Sequence, residues 1–327
     1  MRWSSLVLAF TLIGGGCAGE RESLVIYSGR SEELVAPLIA RFEAATGIET
    51  SVRYAGSTEL AATLIEEGDN SPADVFFAQD PASLGRVAGL LTPLPTELIV
   101  VVPPAFRDRD RRWVGVSGRV RVLAYNPTEV DLASLPDSVY DLTGPDWAGR
   151  LALAPTNGSF LAFVAGMLLS DTEESTRRWL KAIAENRPIE MADNVPIVEA
   201  VAGGFVDAGL TNHYYPLRLT AERPQAAIAN HFFAAGDPGG LVMPAGVGML
   251  ATSKHQDEAK RFVEFLLSEP AQRHFATETF EYPMIAGVPA DPDLPSLASL
   301  HPPDIDLTEL ANKLDLATTL VSEAGLI

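Results

Sequence analysis

The chain has 327 residues, of which 47% are hydrophobic, and its formal net charge at pH 7 is -19. This length allows about two domains with a full hydrophobic core, and the apolar fraction is ordinary for a globular protein. The negative charge argues against a nucleic-acid-binding protein, because neutralising phosphates needs clustered Lys and Arg, and it does not favour docking on anionic lipid.

The N-terminus has the features of an export signal. Arg2 provides a positive charge, and residues 6–13 form an apolar stretch that is too short to cross a bilayer. Small residues follow, and then Cys17, the single cysteine of the protein. This order predicts a lipoprotein-type signal peptide over residues 1–16, with lipidation of Cys17 as the only membrane anchor. A plain cleaved signal peptide stays open, because Gly14 stands where lipoprotein signals usually have leucine. Either way we expect a periplasmic or cell-surface protein.

The first part of the mature chain alternates strand and helix patterns. Short β-type runs at 24–28, 49–54 and 73–78 predict three strands. Helical patterns lie between them; the first ends at Gly47, and we expect Ser57 to cap the second. Alternating strands and helices predict a parallel sheet with helices on both faces.

A long β-rich stretch comes next, and the strand–helix pattern then begins again. The predicted elements of this part are the β-rich stretch 113–125, a strand over 151–154, a helix opened by the capping box Ser170 and Glu173, a helix capped by Asn194, a β-rich stretch over 241–250, a helix over 259–266 and a C-terminal helix opened by Asp306.

These elements predict an α/β protein of two lobes that are joined by two β crossings, near 120–126 and 244–251. Two crossings make a hinge, and we expect the ligand in the cleft between the lobes. The predicted division is a discontinuous N-terminal lobe over 22–121 with 248–290, a C-terminal lobe over 122–247, and a connector with the C-terminal helix over 291–327.

Two adjacent tyrosines, Tyr214 and Tyr215, follow a strand-like run at 206–211 by way of Asn212 and His213. In open α/β sheets, ligands gather where strands end. A free phenol has a pKa of about 10, but a bound cation favours the phenolate. If the segment is irregular, both oxygens can reach one ion, and Fe(III) is the hard, highly charged ion that suits them. From these residues alone, it stays open that one tyrosine lies in the core and the other on the surface.

Seven short segments, in order along the chain, carry a family resemblance: 26–30, 46–48, 71–76, 117–121, 155–160, 207–215 and 257–263. In these segments the chain resembles bacterial periplasmic ferric-ion-binding proteins, the substrate-binding components of iron ABC importers. The resemblance implies a two-lobed, type II periplasmic-binding-protein-like fold, Fe(III) as the cargo and a synergistic anion, carbonate or phosphate. It also implies an ABC permease and its ATPase as partners, and we expect a monomer.

The resemblance assigns roles residue by residue. Tyr214 and Tyr215 match the paired tyrosine ligands of the metal. The residues that match anion contacts are Arg30, Asn157, Gly158, Ser159, Asn194 and Asn212. The chain departs from some members at three positions. Where some members have a histidine and a glutamate ligand, this chain has Ser31 and Gln79. Where other members have a third tyrosine, the nearest residue of this chain is Phe160. The remaining iron ligands are therefore left open between the anion, water and Asp80.

His213 has two interpretations, either as a hydrogen-bond donor to a phenolate or as a residue that faces solvent. Two other functions stay open beside ferric transport. The runner-up is a carrier of another small solute: a polyamine, thiamine, a phosphonate or an oxyanion. A hydrolase or transferase is not expected, because the sequence has no G-x-S-x-G, H-E-x-x-H or P-loop motif and no cysteine for nucleophilic catalysis in the predicted lobes.

Overall fold

The computed structural model describes residues 23–327. The predicted signal peptide over residues 1–16 and the predicted lipidation site Cys17 lie outside these residues. In the described range, none of the helices combines the length and the apolar character that a membrane span requires.

The strands of residues 23–327 form one mixed, 11-stranded sheet. They are β1 (Leu24–Ser28), β2 (Thr50–Tyr54), β3 (Val75–Ala78), β4 (Leu91–Thr92), β5 (Val114–Tyr125), β6 (Leu151–Leu153), β7 (Ile189–Glu190), β8 (Ala208–Asn212), β9 (Ala229–His231), β10 (Val242–Leu250) and β11 (Tyr282–Pro283). The main order is β2-β1-β3-β10-β5-β8-β6-β7. β1 is parallel to β2 and β3, β6 is parallel to β7 and β8, and β5 and β10 run antiparallel between these two parts. The predicted α/β class is confirmed.

Helices connect the strands within each part. They are α1 (Glu32–Thr46), α2 (Ser57–Glu67), α3 (Pro81–Arg86), α4 (Thr96–Ile99), α5 (Gly158–Ser170), α6 (Glu173–Glu185), α7 (Asn194–Ala202), α8 (Tyr214–Glu222), α9 (Gln256–Leu266), α10 (Glu269–Thr277) and α11 (Leu314–Glu323). The end of α1 agrees with the prediction, since Gly47 has φ 69° there, a left-handed conformation that favours glycine.

Two predicted helix starts are wrong because the residues predicted as caps lie inside helices. Ser57 is the first residue of α2 and Gly56 stands at the cap; the Ser57 hydroxyl accepts the Gln79 N–H at 2.8 Å instead. Thr172 caps α6, whereas Ser170 is the last residue of α5. In both cases a hydroxyl lies within one or two residues of the true cap, which local sequence does not resolve.

The other two caps differ from prediction in a similar way. Asp193 caps α7 and accepts the Asn194 N–H at 2.6 Å, so the Asn194 side chain is available for other contacts. Asp306 does cap a helix and accepts the Thr308 N–H at 3.1 Å, but this helix is the 3-10 segment Leu307–Lys313, which precedes α11.

The crossing strand β5 belongs to both parts of the sheet. Its residues up to Val120 pair with β10, and from Arg121 onwards they pair with β8. β10 runs beside it and also pairs with β3. β5 and β10 therefore lie at the two predicted crossings. The lobe boundaries at 121/122 and 247/248 remain predictions.

The C-terminal segment, Leu307–Glu323, packs on helices from both parts of the sheet. It contacts α3 of the first part and α5 of the second. At Gly85 of α3 a side chain is absent and Ala311 fills the space, and Asp315 of the segment pairs with Arg86 at 2.6 Å. The C-terminal segment is thus a third connection between the two parts, besides β5 and β10.

We predict that Gly85→Ala lowers the free energy of unfolding by about 1–3 kcal/mol. A Cβ at Gly85 would lie 2.9 Å from the Ala311 Cβ, so the C-terminal segment must shift. Gly89→Ala is the control, because its Cβ would have no neighbour within 4 Å. Urea denaturation measures both; equal effects of the two substitutions would contradict the packing described here.

Candidate functional site

The two tyrosines lie directly after β8, where they form the first residues of α8. Tyr214 is 2% exposed and Tyr215 is partly buried. Their rings stack with centroids 4.3 Å apart and an interplanar angle of 29°. The expected irregular segment is therefore a helical turn, in which the ring of the buried Tyr214 contacts the ring of the partly buried Tyr215.

The surroundings of Tyr215 keep it protonated in the free protein. Burial, and then the neighbouring Tyr214 phenol, raise the pKa of Tyr215 well above its usual value of 10, and Arg119 opposes the shift. A phenolate here needs a compensating positive charge, which a bound metal ion supplies.

Three fully buried arginines interact electrostatically with the tyrosine pair. Arg30 follows β1, and Arg119 and Arg121 lie on β5, where alternate residues share one face of the strand. Sequence analysis assigned no role to Arg119 or Arg121. Their signal is the alternation of Ser117, Arg119 and Arg121 along a predicted crossing strand, which puts two cations in a row on one side.

The arginines have donors that no described residue satisfies. Arg121 donates to the Ser159 hydroxyl at 3.3 Å and to the Leu210 carbonyl at 3.0 Å, and Arg119 donates to the Gln79 carbonyl. Within residues 23–327, five guanidinium nitrogens lack a partner: Nε and Nη1 of Arg30, Nε and Nη1 of Arg119, and Nε of Arg121. Buried donors without acceptors are costly, so these nitrogens mark where an anionic ligand fits.

Burial changes the electrostatics of this row. It lowers the pKa of Arg121 to about 9, an effect that Arg119 increases and that phenolates at Tyr215 and Tyr214 would oppose. The pKa of Arg30 is raised, because attraction to Glu281 and to the tyrosines outweighs the opposing effect of its burial.

Glu281 is a buried carboxylate that sequence analysis missed. Its Oε2 accepts from Arg30 Nη2 at 2.7 Å and from the Thr279 hydroxyl at 3.0 Å, and its Oε1 has no partner among the described residues. The preceding residue, Phe280, has φ 57°, which is unusual for a residue with a side chain. The signal that could have found Glu281 is a single charge inside the run Phe280-Glu281-Tyr282-Pro283-Met284.

His213 corresponds to neither predicted role. It is fully buried; its Nδ1 accepts the Val120 N–H at 3.1 Å and its Nε2 donates to the Phe280 carbonyl at 2.8 Å. Both ring nitrogens are therefore occupied by backbone groups, which leaves none for a metal or a phenolate. Burial lowers the pKa of His213 to about 4.

The residues of the predicted anion loop hydrogen-bond to one another. Asn157 caps α5, where its Oδ1 accepts the Ser159 N–H at 2.9 Å, and Gly158 opens the helix. Asn194 donates to Asn157 Oδ1 and to Ser159 Oγ, each at 3.3 Å, and accepts from the Thr211 hydroxyl at 3.2 Å. The bond from Arg121 to Ser159 joins this loop to the arginine row.

Two other predicted residues have contrasting environments. Asn212, paired with Arg121 across β8 and β5, is buried with both amide atoms unpartnered among the described residues, so it can bind a ligand. Asp80 caps α3: its Oδ1 accepts the Ser83 N–H at 2.7 Å and its Oδ2 the Ser83 hydroxyl at 3.0 Å. The Asp80 carboxylate therefore stabilises the N-terminus of α3. In the part of the chain that the structure covers, no three His, Cys, Asp or Glu side chains form a metal cluster.

We predict that stability falls as the pH decreases from about 7 to about 4, partly through His213. The unfolded histidine takes up a proton near pH 6.5, whereas the folded one stays neutral down to about pH 4. The unfolded state then binds more protons, which costs the fold on the order of 3 kcal/mol over this range. His274, whose pKa burial also lowers, adds to the same trend.

Urea denaturation at several pH values tests this. His213→Gln should be less stable than the wild type at pH 7, because it loses the bonds to Val120 and Phe280. Its stability should nevertheless depend less on pH. A pH dependence equal to that of the wild type would contradict a buried neutral histidine.

Comparison with known proteins gives consistent matches. Residues 70–309 match the family model described as bacterial extracellular solute-binding protein. The chain is 35% identical to the Fe(3+)-binding periplasmic protein of Serratia marcescens, over 99% of this chain and 96% of that protein. It is 33% identical to the major ferric iron-binding protein of Neisseria meningitidis serogroup B, over 100% of this chain and 98% of that protein.

Solved structures give the same picture. The structure of iron-bound HitA from Pseudomonas aeruginosa superimposes with a TM-score of 0.88 and 36% identity, covering 93% of this chain and 99% of that one. A ferric binding protein from Campylobacter jejuni superimposes with a TM-score of 0.83 and 25% identity, over 93% and 99% of the two chains. Such relatives have the two-lobed type II fold, which confirms the predicted architecture.

Proposed function

This chain belongs to the family of bacterial extracellular solute-binding proteins, in the group of periplasmic ferric-ion-binding proteins, and we propose that it carries Fe(III) to an ABC importer. Family members bind solutes and are not enzymes. In the proposed function, Tyr214 and Tyr215 bind the ion as phenolates together with a synergistic anion, carbonate or phosphate.

One observation carries this proposal: two stacked phenols interact electrostatically with three buried guanidinium groups, one of which pairs with a buried carboxylate. The charged side chains alone leave an excess of two positive charges in a dry site. Two phenolates offset that excess, and Fe(III) supplies the local charge that removes their protons. A hard trivalent ion and hard anionic oxygens are chemically matched.

The anion completes the charge balance. With two phenolates formed, Fe(III) would add three uncompensated positive charges, and an oxyanion reduces them. The unpartnered nitrogens of Arg30 and Arg119, together with the Asn212 amide, are the donors we assign to it first. A guanidinium N–H donates a charge-assisted hydrogen bond to an oxyanion. Asn157, Gly158, Ser159 and Asn194 complete the proposed anion site through the bond from Arg121 to Ser159.

Transport requires the site to open and close. We propose that the two lobes rotate about β5 and β10, that the closed form buries the iron, and that docking on the permease and its ATPase favours the open form. A lipid on Cys17 would keep the carrier at the membrane, and the carrier would act as a monomer.

A second candidate is a carrier of an oxyanion without iron. It is favoured by the five unpartnered guanidinium nitrogens and by the absence of a free carboxylate at Asp80, which caps α3. The visible spectrum separates the two functions, since phenolate-to-Fe(III) charge transfer colours the protein and an oxyanion complex has no such band.

We predict that Tyr214→Phe and Tyr215→Phe each weaken Fe(III) binding by about 100-fold or more and remove or shift the visible band. Each change deletes one oxygen ligand, and even residues that only support ligands change metal affinity about 10–100-fold. Absorbance during titration with a ferric chelate measures both effects. Tyr140→Phe, at a tyrosine that donates to Asp171, is the control. Unchanged colour and affinity in the double Phe variant would refute the assignment.

We also predict that iron binding strengthens with pH. Because Tyr215 is protonated in the free protein, forming the complex must release its proton. The apparent affinity, measured against a chelator and corrected for its protonation, should rise at least about 10-fold per pH unit between pH 5 and 7. Tyr215→Phe should show a smaller pH dependence than the wild type. A slope near zero in the wild type would mean that phenolates are not the ligands.

A further inference from the structure

The pair of Arg30 and Glu281 joins two distant parts of the chain inside the site. The residues are 251 positions apart, yet Arg30 Nη2 lies 2.7 Å from Glu281 Oε2, and both side chains are almost inaccessible to solvent. The bond uses one nitrogen of the guanidinium. The other two, Nε and Nη1, have no partner within the described residues.

We propose that Glu281 positions Arg30 for the synergistic anion: the bond to Nη2 fixes the plane of the guanidinium, so that an N–H without a protein acceptor donates to the anion from a defined position. This inference rests on the proposed function, because it needs an anion at Arg30. Glu281 does not bind iron itself in this assignment; it acts through the arginine.

Both partners are held in place from behind. The Ser28 hydroxyl accepts the Arg30 N–H at 3.2 Å and donates to the Arg30 carbonyl at 3.1 Å, which fixes the backbone of that loop. On the other side, Thr279 donates to the same Glu281 oxygen that receives Arg30, at 3.0 Å. A long arginine side chain therefore has one defined orientation, so less freedom is lost when the anion binds.

Glu281 is also tied to the tyrosine pair. Phe280, with its left-handed φ of 57°, directs its carbonyl to His213 Nε2 at 2.8 Å, and the ring of Tyr282 lies 4.9 Å from the His213 ring. The residues on both sides of Glu281 thus contact the residue that precedes Tyr214. Such an outlying backbone conformation persists where the surrounding contacts hold it, often at functional sites.

The charge of Glu281 has a second effect on the same anion site. It offsets one of three buried guanidinium charges, so that Arg30 does not face Arg119 and Arg121 without a counterion. Removing one partner of a buried ion pair leaves the other uncompensated. Arg30 would then take a different orientation or become less ordered, and the anion would lose a donor that is held in place.

The test compares Glu281→Gln and Glu281→Ala with the wild type during Fe(III) loading. The readout is the carbonate or phosphate concentration that gives half of the maximal visible band. We expect this concentration to rise about 10–100-fold in Glu281→Ala, the range for residues that orient a ligand. Glu281→Gln keeps an oxygen acceptor for Arg30, so its half-maximal anion concentration should lie between those of the wild type and Glu281→Ala. At saturating anion the band should keep its wild-type position, because the tyrosines are unchanged.

Two further variants make the test specific. In an Arg30→Gln background, Glu281→Gln should change the half-maximal anion concentration less than about twofold, because the effects of residues that act through one another are not additive. Glu67→Gln is the matched control, a half-buried carboxylate that pairs with Arg53 at 3.5 Å in the same lobe. It should leave the anion concentration unchanged. Thermal unfolding identifies variants that do not fold; if Glu281→Ala is one, Glu281→Gln decides.

Each outcome decides the inference. An unchanged anion concentration in the folded Glu281→Gln variant would overturn it, as would an equal effect of Glu281→Gln in the Arg30→Gln background. A shifted band at saturating anion would also overturn it, because Glu281 would then be an iron ligand. A wild-type protein that forms no visible band would instead refute the proposed ferric function, a result that does not depend on any Glu281 variant.

Discussion

Buried positive charge is the constraint on which this site depends. Arg30, Arg119 and Arg121 are removed from water with one carboxylate, Glu281, among them. Isolated charges in a dry interior are unfavourable, so such a site is stable only with matching anions or with a reduced charge. Under the proposed function a ferric ion would add charge of the same sign, even after two phenolates offset the excess of the arginines. The oxyanion that binds with the iron reduces this added charge.

The crossing strand β5 links the buried positive charge to the connection between the lobes. Arg119 and Arg121 lie on the strand that pairs with β10 on one side and β8 on the other, at the point where its partners change. Residues that we propose for the anion site are therefore part of the connection between the lobes. In a carrier with open and closed forms, ligand occupancy and lobe angle would be linked in both directions, since coupling between binding and conformation is reciprocal.

The parts of the structure that follow from local pattern could be predicted from the sequence, and the others could not. Strand–helix alternation gave the α/β class, and Gly47 gave the end of α1, because each depends on neighbouring residues. The tyrosine pair was visible as adjacent residues after a strand. Glu281 was not, because its partner lies 251 positions away. Asp80 caps α3, and sequence alone does not distinguish a capping carboxylate from one that is free to bind a metal.

The discontinuous arrangement of the chain has a consequence for the order of folding. β3, made early, pairs with β10, which is synthesised after the whole second part of the sheet, and α3 is covered by the C-terminal segment. Contacts between such distant residues form slowly, since long loops must close first. The half of the protein that leaves the ribosome first is therefore completed last: an unfinished chain would expose the edge of β3 until β10 has been made, and α3 until the C-terminal segment has been made.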